Sequence, residues 1–401
     1  MGCSSSIAEK YEVEEVRGGD IAPDAPSFHN DFELSRKLGK GAFGSVYLAW
    51  RRDGVREKVA VKVADLHQVP QGGSTTDAKS SVGMDSKSTV KITKSGLDTR
   101  RKRTTEKEVR VLKALPKSEY IVAYYADYCE GGISYIVMEL CSMSLLQAFG
   151  TMPRLTESTM KLVLRDMLKG LVVCHRACIV HRDVKADNFL AVADDSRLGF
   201  RAKLCDFGLA GSITRRDACE LAGVFGTPPY MAPEMLFDQK YGAKVDTWAF
   251  GALAYVLTFG TWPYSPPEYT GSKMKKAIIA GEHGPTFKAK PGMPEISAAC
   301  VAWVQALLER DPEKRCSSEA ALAHPSFNAD WENGADSSLL PVILAAKRIG
   351  GFDCGAVASK STQLDAMLMG LNRCHKRKDS SASDQSTIAG SDSMEHCPTS
   401  P

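Results

Sequence analysis

The sequence predicts an α+β protein, because strand and helix patterns both occur in its N-terminal part. After Gly44, the stretch VYLAW alternates like a strand, and VAVKV, which contains Lys62, has the pattern of an apolar strand. In TTEKEVRVLKAL, Leu112 and Leu115 stand at i+4 and i+7 from Glu108, so these three side chains share one face of a helix.

The composition supports one large folded unit with tails. The chain has 401 residues, of which 43% are hydrophobic and 25% are charged, so it can bury a large core. Its net charge of +3 is too small to indicate nucleic-acid binding. The 12 cysteines are scattered without disulfide or zinc spacing, so we expect reduced thiols and a cytosolic body.

Two acidic loops carry the strongest chemical signal. The first reads IVHRDVKADNFL at residues 179–190, and the second, LCDFGLA, contains Asp206. Upstream, LGKGAFGSV contains Gly39, Gly41 and Gly44, whose missing side chains let backbone amides approach phosphates. Dinucleotide-binding turns share this glycine spacing, but they run from a strand into a helix, whereas here a second strand pattern follows.

Taken in order, these motifs resemble a eukaryotic protein kinase, and the likeness runs from about Phe32 to Phe327. The resemblance implies a bilobal fold with a small five-stranded β lobe, one main helix in that lobe and a larger, mainly α-helical lobe. We place this domain at residues 32–328. The implied reaction transfers a phosphoryl group from ATP to a hydroxyl, with Mg²⁺ as the metal, because carboxylate and amide oxygens suit a hard cation.

The resemblance assigns the transfer chemistry to the two acidic loops. Asp183 would accept the proton of the incoming hydroxyl, and Lys185 would neutralise the transferring phosphate. Asn188 and Asp206 would each hold a metal ion. Lys185 and Thr227, the latter in GTPPY, resemble the serine/threonine branch of the family, so the expected substrates are proteins bearing Ser or Thr hydroxyls.

The resemblance also outlines a nucleotide pocket. Lys62 stands where the family's phosphate-binding lysine stands, and Glu108 is its expected partner, with Glu106 as the fallback. Cys141 and Cys205 would line the pocket, where a cysteine is more often an apolar filler than a redox switch. The residues expected around ATP are Leu38, Gly39, Gly41, Gly44, Val46, Ala60, Lys62, Glu108, Met138, Glu139, Cys141 and Leu190.

Three further residues are expected to hold the larger lobe together. Glu234, in GTPPYMAPE, and Arg315 would form a buried ion pair that pins the activation segment to the helical lobe. Asp246, in KVDTWAFG, would hold the backbone of the catalytic loop. We expect substitutions of these residues to lower stability as well as rate.

Control of the activation segment departs from the commonest family scheme. Many members carry a phosphorylatable Thr four residues before the Thr of GT, and its phosphate pairs with the Arg of HRD. Here that position is Gly223, whereas the arginine is present as Arg182. Ser212 and Thr214 could equally be ordinary loop residues. The sequence leaves open which group meets Arg182, whether a phosphate on Ser212 or Thr214 or the fixed charge of Glu220 or Asp217.

The first residues, MGCSSS, predict lipid attachment. After removal of Met1, Gly2 followed by Ser6 fits the N-myristoylation pattern, and Cys3 could be palmitoylated. A second acyl chain is needed because one chain holds a protein only weakly. We therefore expect contact with lipids on the cytoplasmic face of a membrane, with the plasma membrane as the expected site, and a soluble cytoplasmic fraction. The alternative is a disordered start with a spare cysteine.

The flanks and one insert are expected to be flexible. Residues 1–31 form the acylated segment, and an insert at about residues 68–100, rich in Ser, Thr, Gly and Lys, is expected to be disordered. Its final RRKR reads as a solvated loop, a helix start or a contact with anionic lipids. Residues 329–401 form a tail, partly helical and then disordered. Its apolar stretch at residues 339–346 is placed outside the core and is too short to span a bilayer.

The tail also contains a basic amphipathic stretch at residues 364–378. It could bind a partner such as calmodulin, lie against the catalytic lobe, or do neither.

A pseudokinase or membrane-tethered scaffold, which uses the same fold for binding, is the alternative to an active enzyme. Scaffolds of this fold commonly lose the lysine, the proton acceptor or the metal-binding Asp. Lys62, Glu108, Asp183, Asn188 and Asp206 are all present, which favours an active kinase.

Overall fold

The computed structural model of the protein has two lobes. The residues that it describes are 27–41, 44–54, 57–66, 98–196, 198–331 and 337–350.

The N-terminal lobe is a five-stranded antiparallel sheet with strand order β1-β2-β3-β5-β4. Lys62 pairs with Val46 on one side and with Ile136 on the other, so it lies on the central strand of the sheet. The predicted five-stranded lobe is therefore confirmed. The strands are β1 (Phe32–Gly41), β2 (Gly44–Arg51), β3 (Lys58–Asp65), β4 (Tyr124–Glu130) and β5 (Ile133–Glu139).

A helix at the end of the insert packs beside this sheet. Helix α2 (Thr99–Ala114) begins after Asp98, whose side chain accepts hydrogen bonds from two backbone amides of the first turn. The Asp98 amide donates to the Leu66 carbonyl at 2.7 Å, so the chain returns next to where β3 ends. The expectation that the insert is disordered as far as residue 100 is wrong at the C-terminal end of the insert, because RRKR lies in the first turns of α2. The Asp98 carboxylate offsets the positive charge of RRKR at the positive terminus of the helix.

The N-terminal boundary at residue 32 is also wrong, because a short helix precedes β1. Helix α1 spans Phe28–Asp31, and the Phe28 side chain is 0% exposed. Its ring stacks on Tyr135 with centroids 4.2 Å apart and on Phe32 at 5.6 Å. The β lobe therefore includes Phe28, since this ring fills the core between the sheet and the incoming chain. Gly2 and Cys3 lie outside the described residues.

The larger lobe is mainly helical, as predicted, and is built around α6 (Lys244–Phe259). Every residue of α6 from Val245 to Phe259 is buried, because other helices surround it. Besides α6, this lobe contains α3 (Leu145–Thr151), α4 (Glu157–Arg176), α5 (Pro233–Leu236), α7 (Gly271–Ala280), α8 (Ala298–Leu307), α9 (Ser318–Leu322) and α10 (Pro325–Asn328), of which α4 and α8 pack on α6. Short strands frame the loops between the lobes, namely β6 (Met143–Ser144), β7 (Ile179–Val180), β8 (Phe189–Ala193), β9 (Phe200–Leu204) and β10 (Gly211–Ser212).

The C-terminal boundary at residue 328 is wrong for a similar reason. Helix α11 (Leu340–Arg348) packs against α6, and its Val342, Ile343 and Ala346 are buried. The apolar stretch that was placed outside the core thus belongs to the core of the helical lobe. None of the helices in the described parts of the chain is long and apolar enough to span a membrane. The basic stretch at residues 364–378 lies outside those parts.

Candidate active site

Lys62 lies where the two lobes meet. Its Nζ is 2.6 Å from Glu108 Oε1 of α2 and 3.0 Å from Asp206 Oδ1 in the loop after β9. Glu106 instead lies near Lys102 on the solvent side of the helix, at 3.9 Å. The structure therefore confirms Glu108 as the partner of Lys62, and Glu106, the second candidate, lies elsewhere.

The electrostatics of this contact favour the charged forms of Lys62 and Asp206. Burial acts to lower the pKa of Lys62, but the charges of Asp206 and Glu108 outweigh it and the pKa is raised. Burial acts to raise the pKa of Asp206, but the charge and hydrogen bond of Lys62 outweigh it and the pKa is lowered. Asp206 is therefore a carboxylate at neutral pH.

The catalytic loop gathers Asp183, Lys185 and Thr227. Thr227 Oγ1 donates to Asp183 Oδ1 at 3.0 Å and accepts from Lys185 Nζ at 3.1 Å. Lys185 Nζ also lies 3.0 Å from Asp183 Oδ2. The sequence predicts Thr227 as an activation-segment residue and as a mark of the serine/threonine branch. Its hydroxyl bridges the acid and the lysine, and the GTPPY motif alone does not indicate this contact.

Asn188 is held in the same loop by its amide nitrogen. Nδ2 donates to the Asp183 carbonyl at 2.7 Å and to Asp183 Oδ2 at 3.1 Å, so the amide oxygen is the atom left to act as a ligand. An amide oxygen and the Asp206 carboxylate suit Mg²⁺, which commonly takes its other ligands from phosphates and water. In the described residues, no group of three or more His, Cys, Asp or Glu could hold a metal ion by itself. The Asn188 amide oxygen and the Asp206 carboxylate therefore fit a divalent metal ion.

Asp246 on α6 holds the catalytic loop from below. Its carboxylate accepts from the backbone amides of His181 at 2.7 Å and Arg182 at 2.8 Å, and His175 Nε2 lies 3.0 Å away. Burial acts to raise the pKa of Asp246, but the His175 hydrogen bond and charge outweigh it and the pKa is lowered. The expected backbone support is present, and Arg182 adopts a left-handed conformation with φ of 65° on top of it.

The expected ion pair between Glu234 and Arg315 is present and bidentate. Arg315 Nη1 and Nη2 donate to the two Glu234 oxygens at 2.6 and 3.1 Å, and both side chains are buried. The guanidinium also stacks over Trp248 at 4.9 Å. Helix α5, which follows the activation segment, is thereby fixed to the helical lobe.

Most of the residues expected around ATP lie on strands, mainly those of the N-terminal sheet. Gly44 packs so closely on β3 that a Cβ there would collide with the Val63 carbonyl, so this glycine is needed by the sheet itself. The Glu139 carboxylate accepts a hydrogen bond from Lys203 Nζ at 2.7 Å, and its backbone amide donates to the Ala123 carbonyl at 2.9 Å. Leu38, Gly39 and Gly41 lie on β1, Gly44 and Val46 on β2, Ala60 on β3, Met138 and Glu139 on β5, and Leu190 on β8.

Their surroundings disfavour the thiolate forms of Cys141 and Cys205. Burial, with a smaller contribution from Glu139, raises the pKa of Cys141 to about 12. Burial and the neighbouring Asp206 charge raise the pKa of Cys205 well above its ordinary value. Because the thiolate is the nucleophile, both residues act as small apolar side chains.

Two carboxylates that were candidates to meet Arg182 are engaged elsewhere. Glu220 accepts hydrogen bonds from the Thr214 amide at 2.9 Å and from the Thr214 hydroxyl. Asp217 lies 3.0 Å from Arg215 Nε. The idea that either of them supplies a fixed charge to Arg182 is therefore wrong, because other partners hold both.

Comparison with known proteins agrees with this geometry. The protein kinase domain family matches residues 72–327, which is 256 of the 401 residues. The match begins after β3, but β1, β2 and β3 pair into the same sheet as β4 and β5, so the earlier motifs belong to the same domain.

Individual relatives carry kinase names. A calcium/calmodulin-dependent serine/threonine-protein kinase 1 from rice is 30% identical over 326 residues, which cover 80% of this chain and 47% of that protein. The CDPK-related kinase 5 of Arabidopsis thaliana is 30% identical over 350 residues, covering 84% and 50% of the two chains. A probable serine/threonine-protein kinase, zyg-1 of Caenorhabditis elegans, is 32% identical over 234 residues, covering 58% and 28%.

The chain spans about half the length of the first two relatives. It matches them across most of its own sequence, and the family match covers more than half of it. The chain therefore belongs to the protein kinase family.

Proposed function

We propose that this protein is a serine/threonine protein kinase that transfers the γ-phosphate of ATP to Ser or Thr hydroxyls of protein substrates, with Mg²⁺. The single observation that carries the proposal is the contact of Lys62 with both Glu108 and Asp206. It joins a phosphate-binding cation, its helix partner and a metal-binding carboxylate in one buried network, which a binding scaffold has no need to keep.

The chain's own residues perform distinct tasks in this reaction. ATP bound with a divalent metal supplies the phosphoryl group and the charge that neutralises it. Asp183 accepts the proton of the substrate hydroxyl, and Thr227 and Asn188 hold its carboxylate in place. Lys185 brings a positive charge to the same point. The serine/threonine assignment is supported by Lys185, Thr227 and the printed names of relatives.

The test is magnesium-dependent transfer from ATP to a mixed library of Ser, Thr and Tyr peptides. We expect wild-type protein to label Ser or Thr peptides and Asp183→Asn to abolish labelling. Asp195→Asn is the matched control, because it makes the same change at an exposed turn after β8. ATP binding without transfer by the wild type would contradict the proposal and favour a scaffold.

We also propose that acylation of Gly2 and Cys3 holds the kinase at the cytoplasmic face of a membrane, the plasma membrane in the first instance. The support is the residue pattern MGCSSS together with the weak hold of a single acyl chain, which calls for a second one. Gly2→Ala should move the protein from the membrane to the soluble fraction, and Cys3→Ser should give weak, reversible binding. Ser5→Ala is the control. Unchanged fractionation of both test variants would remove the proposal.

A further inference from the structure

We propose that Phe225 and Tyr241 hold Arg182 in the position that an activation-segment phosphate holds it in many family members, so that this chain transfers phosphate without phosphorylation of that segment. The inference rests on the proposed kinase function and concerns how its site is kept in order.

The Arg182 side chain reaches from the catalytic loop into the start of the activation segment. Its Nε donates to the Leu209 carbonyl at 2.7 Å, and Nη2 lies 3.4 Å from the Ala210 carbonyl. Its Nη1 lies 3.4 Å from the Tyr241 hydroxyl. Protein groups therefore engage all three nitrogens of the guanidinium, which immediately precedes Asp183 in the chain.

Phe225 covers the face of the same guanidinium. The Arg182 Cζ lies 4.1 Å from the Phe225 ring centroid, well inside the roughly 6 Å limit of a cation–π contact. Arg182 is only 8% exposed, so the contact is largely shielded from water and is stronger than one at the surface. Because Phe225 lies two residues before Thr227, it connects Arg182 to the loop whose hydroxyl positions Asp183.

Tyr241 completes the link to the position where other members carry the phosphate. Its hydroxyl donates to the Gly223 carbonyl at 2.9 Å. The Tyr241 amide donates to the Leu221 carbonyl at 2.8 Å, and the Leu221 amide donates to the Tyr241 carbonyl at 3.1 Å. Tyr241 is 1% exposed. A hydrogen-bonded chain thus runs from Arg182 through the Tyr241 hydroxyl to Gly223.

Gly223 itself excludes the commoner arrangement. Its φ is 88°, in the region that favours glycine, and a Cβ built there would lie 2.9 Å from Phe225 Cε2. A Thr at this position would be strained at this φ, and the Phe225 ring would have to shift to make room for its Cβ. The aromatic contact as it stands here is therefore incompatible with a side chain at position 223 unless the ring moves.

The two other candidate phosphosites do not face Arg182. A Cβ at Gly211 would lie 3.3 Å from Arg182 Cζ, and side chains alternate along a strand, so Ser212 on β10 points the opposite way, into solvent. The Thr214 hydroxyl is hydrogen-bonded to Glu220. Neither residue needs to be modified for Arg182 to have partners.

Arg182 also interacts electrostatically with a cation of α2. Burial and the positive charge of Arg182 lower the pKa of Lys107 on α2. An anion drawn to these two cations would compete with the Phe225 ring, so phosphate-dependent activation is the outcome that the experiment must be able to detect.

The experiment compares phosphorylation states of the full chain. Wild-type protein is treated with a protein phosphatase, the phosphatase is removed, and the initial rate of transfer to Ser/Thr peptides is measured beside untreated protein and the Ser212→Ala/Thr214→Ala double variant. Mass spectrometry of the activation segment checks each sample. We expect kcat to agree within about twofold among the three.

Variants of Phe225 test the aromatic contact directly. Phe225→Leu keeps apolar bulk but removes the π face. We expect kcat to fall at least about tenfold, because a desolvated cation–π contact changes a rate by that factor or more. Phe225→Tyr keeps the ring and should restore kcat. Equal melting temperatures for the Leu and Tyr variants, with different kcat and an unchanged KM for ATP, would show positioning and not simple loss of fold.

The outcomes separate this inference from the proposed function. Transfer that disappears on phosphatase treatment and returns on rephosphorylation would overturn the inference and leave the kinase assignment intact. A Phe225→Leu variant as fast as wild type would also overturn it. No transfer by the wild type in either phosphorylation state would sink the proposed function and this inference together.

Discussion

Replacement of Thr227 by valine tests whether its hydroxyl holds the acid of the catalytic loop. Valine keeps the branched Cβ and nearly the same volume, so the change removes one donor and one acceptor from between Asp183 and Lys185. Asp183 Oδ1 then loses its hydroxyl donor, while Oδ2 keeps Asn188 and Lys185. The carboxylate should rotate away from the position in which it receives a proton.

The structure sets the expected size of the effect. A hydrogen bond to a charged group contributes about 1.5–3 kcal/mol, and Thr227 is only partly buried, so the lower part of that range applies. Since each 1.36 kcal/mol changes a rate tenfold, kcat should fall about 10- to 30-fold.

The assay is steady-state transfer to the best peptide from the library, with melting temperature measured on the same samples. Thr227→Ser keeps the hydroxyl and should retain most of kcat, so it is the matched control. A Thr227→Val enzyme within about twofold of wild type would refute the bridging role of the hydroxyl.

Three further predictions concern stability. Phe28→Ala should lower the free energy of unfolding by about 3–5 kcal/mol in a urea titration, because it empties the fully buried site against Tyr135. A loss below about 1 kcal/mol would show that Phe28 is not part of the folded lobe. Arg315→Met should lower the free energy of unfolding by about 3–5 kcal/mol, because it leaves Glu234 buried without its cation. The double variant with Glu234→Gln should recover part of this stability, and equal losses for the single and double variants would count against the ion pair. The pKa of Asp246 is lower in the folded protein than in the unfolded chain. Its contribution to the free energy of unfolding is therefore complete above the unfolded pKa of about 3.9 and is lost as the pH falls through the folded pKa. The wild-type melting temperature should therefore fall more steeply than that of Asp246→Asn below that pH, and parallel curves would contradict the assignment.

Much of the site was predictable because each step of the chemistry needs a particular group at a fixed place in a short loop. The choice of Glu108 over Glu106 shows how far such reasoning reaches. Leu112, with Leu115 directly after the last turn, marks the apolar side of α2, and of the two glutamates Glu108 lies on that side. The structure places Glu108 against Lys62 for this reason.

The remaining contacts join residues that are far apart in the chain and that no local pattern marks. Phe28 follows a polar stretch and only Phe32 repeats its apolar character, which is too short a pattern to predict burial, yet Tyr135 on β5 makes a site for it. Phe225 carries no sign that its ring covers Arg182, since that depends on how the activation segment folds back. The burial of α11 depends equally on the surface that α6 offers, with Val342 of α11 against Gly260.

The hydrogen bond between the Asp98 amide and the Leu66 carbonyl has a consequence for engineering. The insert leaves and rejoins the β lobe at nearly one point, so its length has little effect on the geometry of the lobe. Doubling a loop costs only about 0.6 kcal/mol of closure entropy. We expect this position to accept a grafted reporter domain or affinity tag, with α2 and Glu108 kept in register by Asp98.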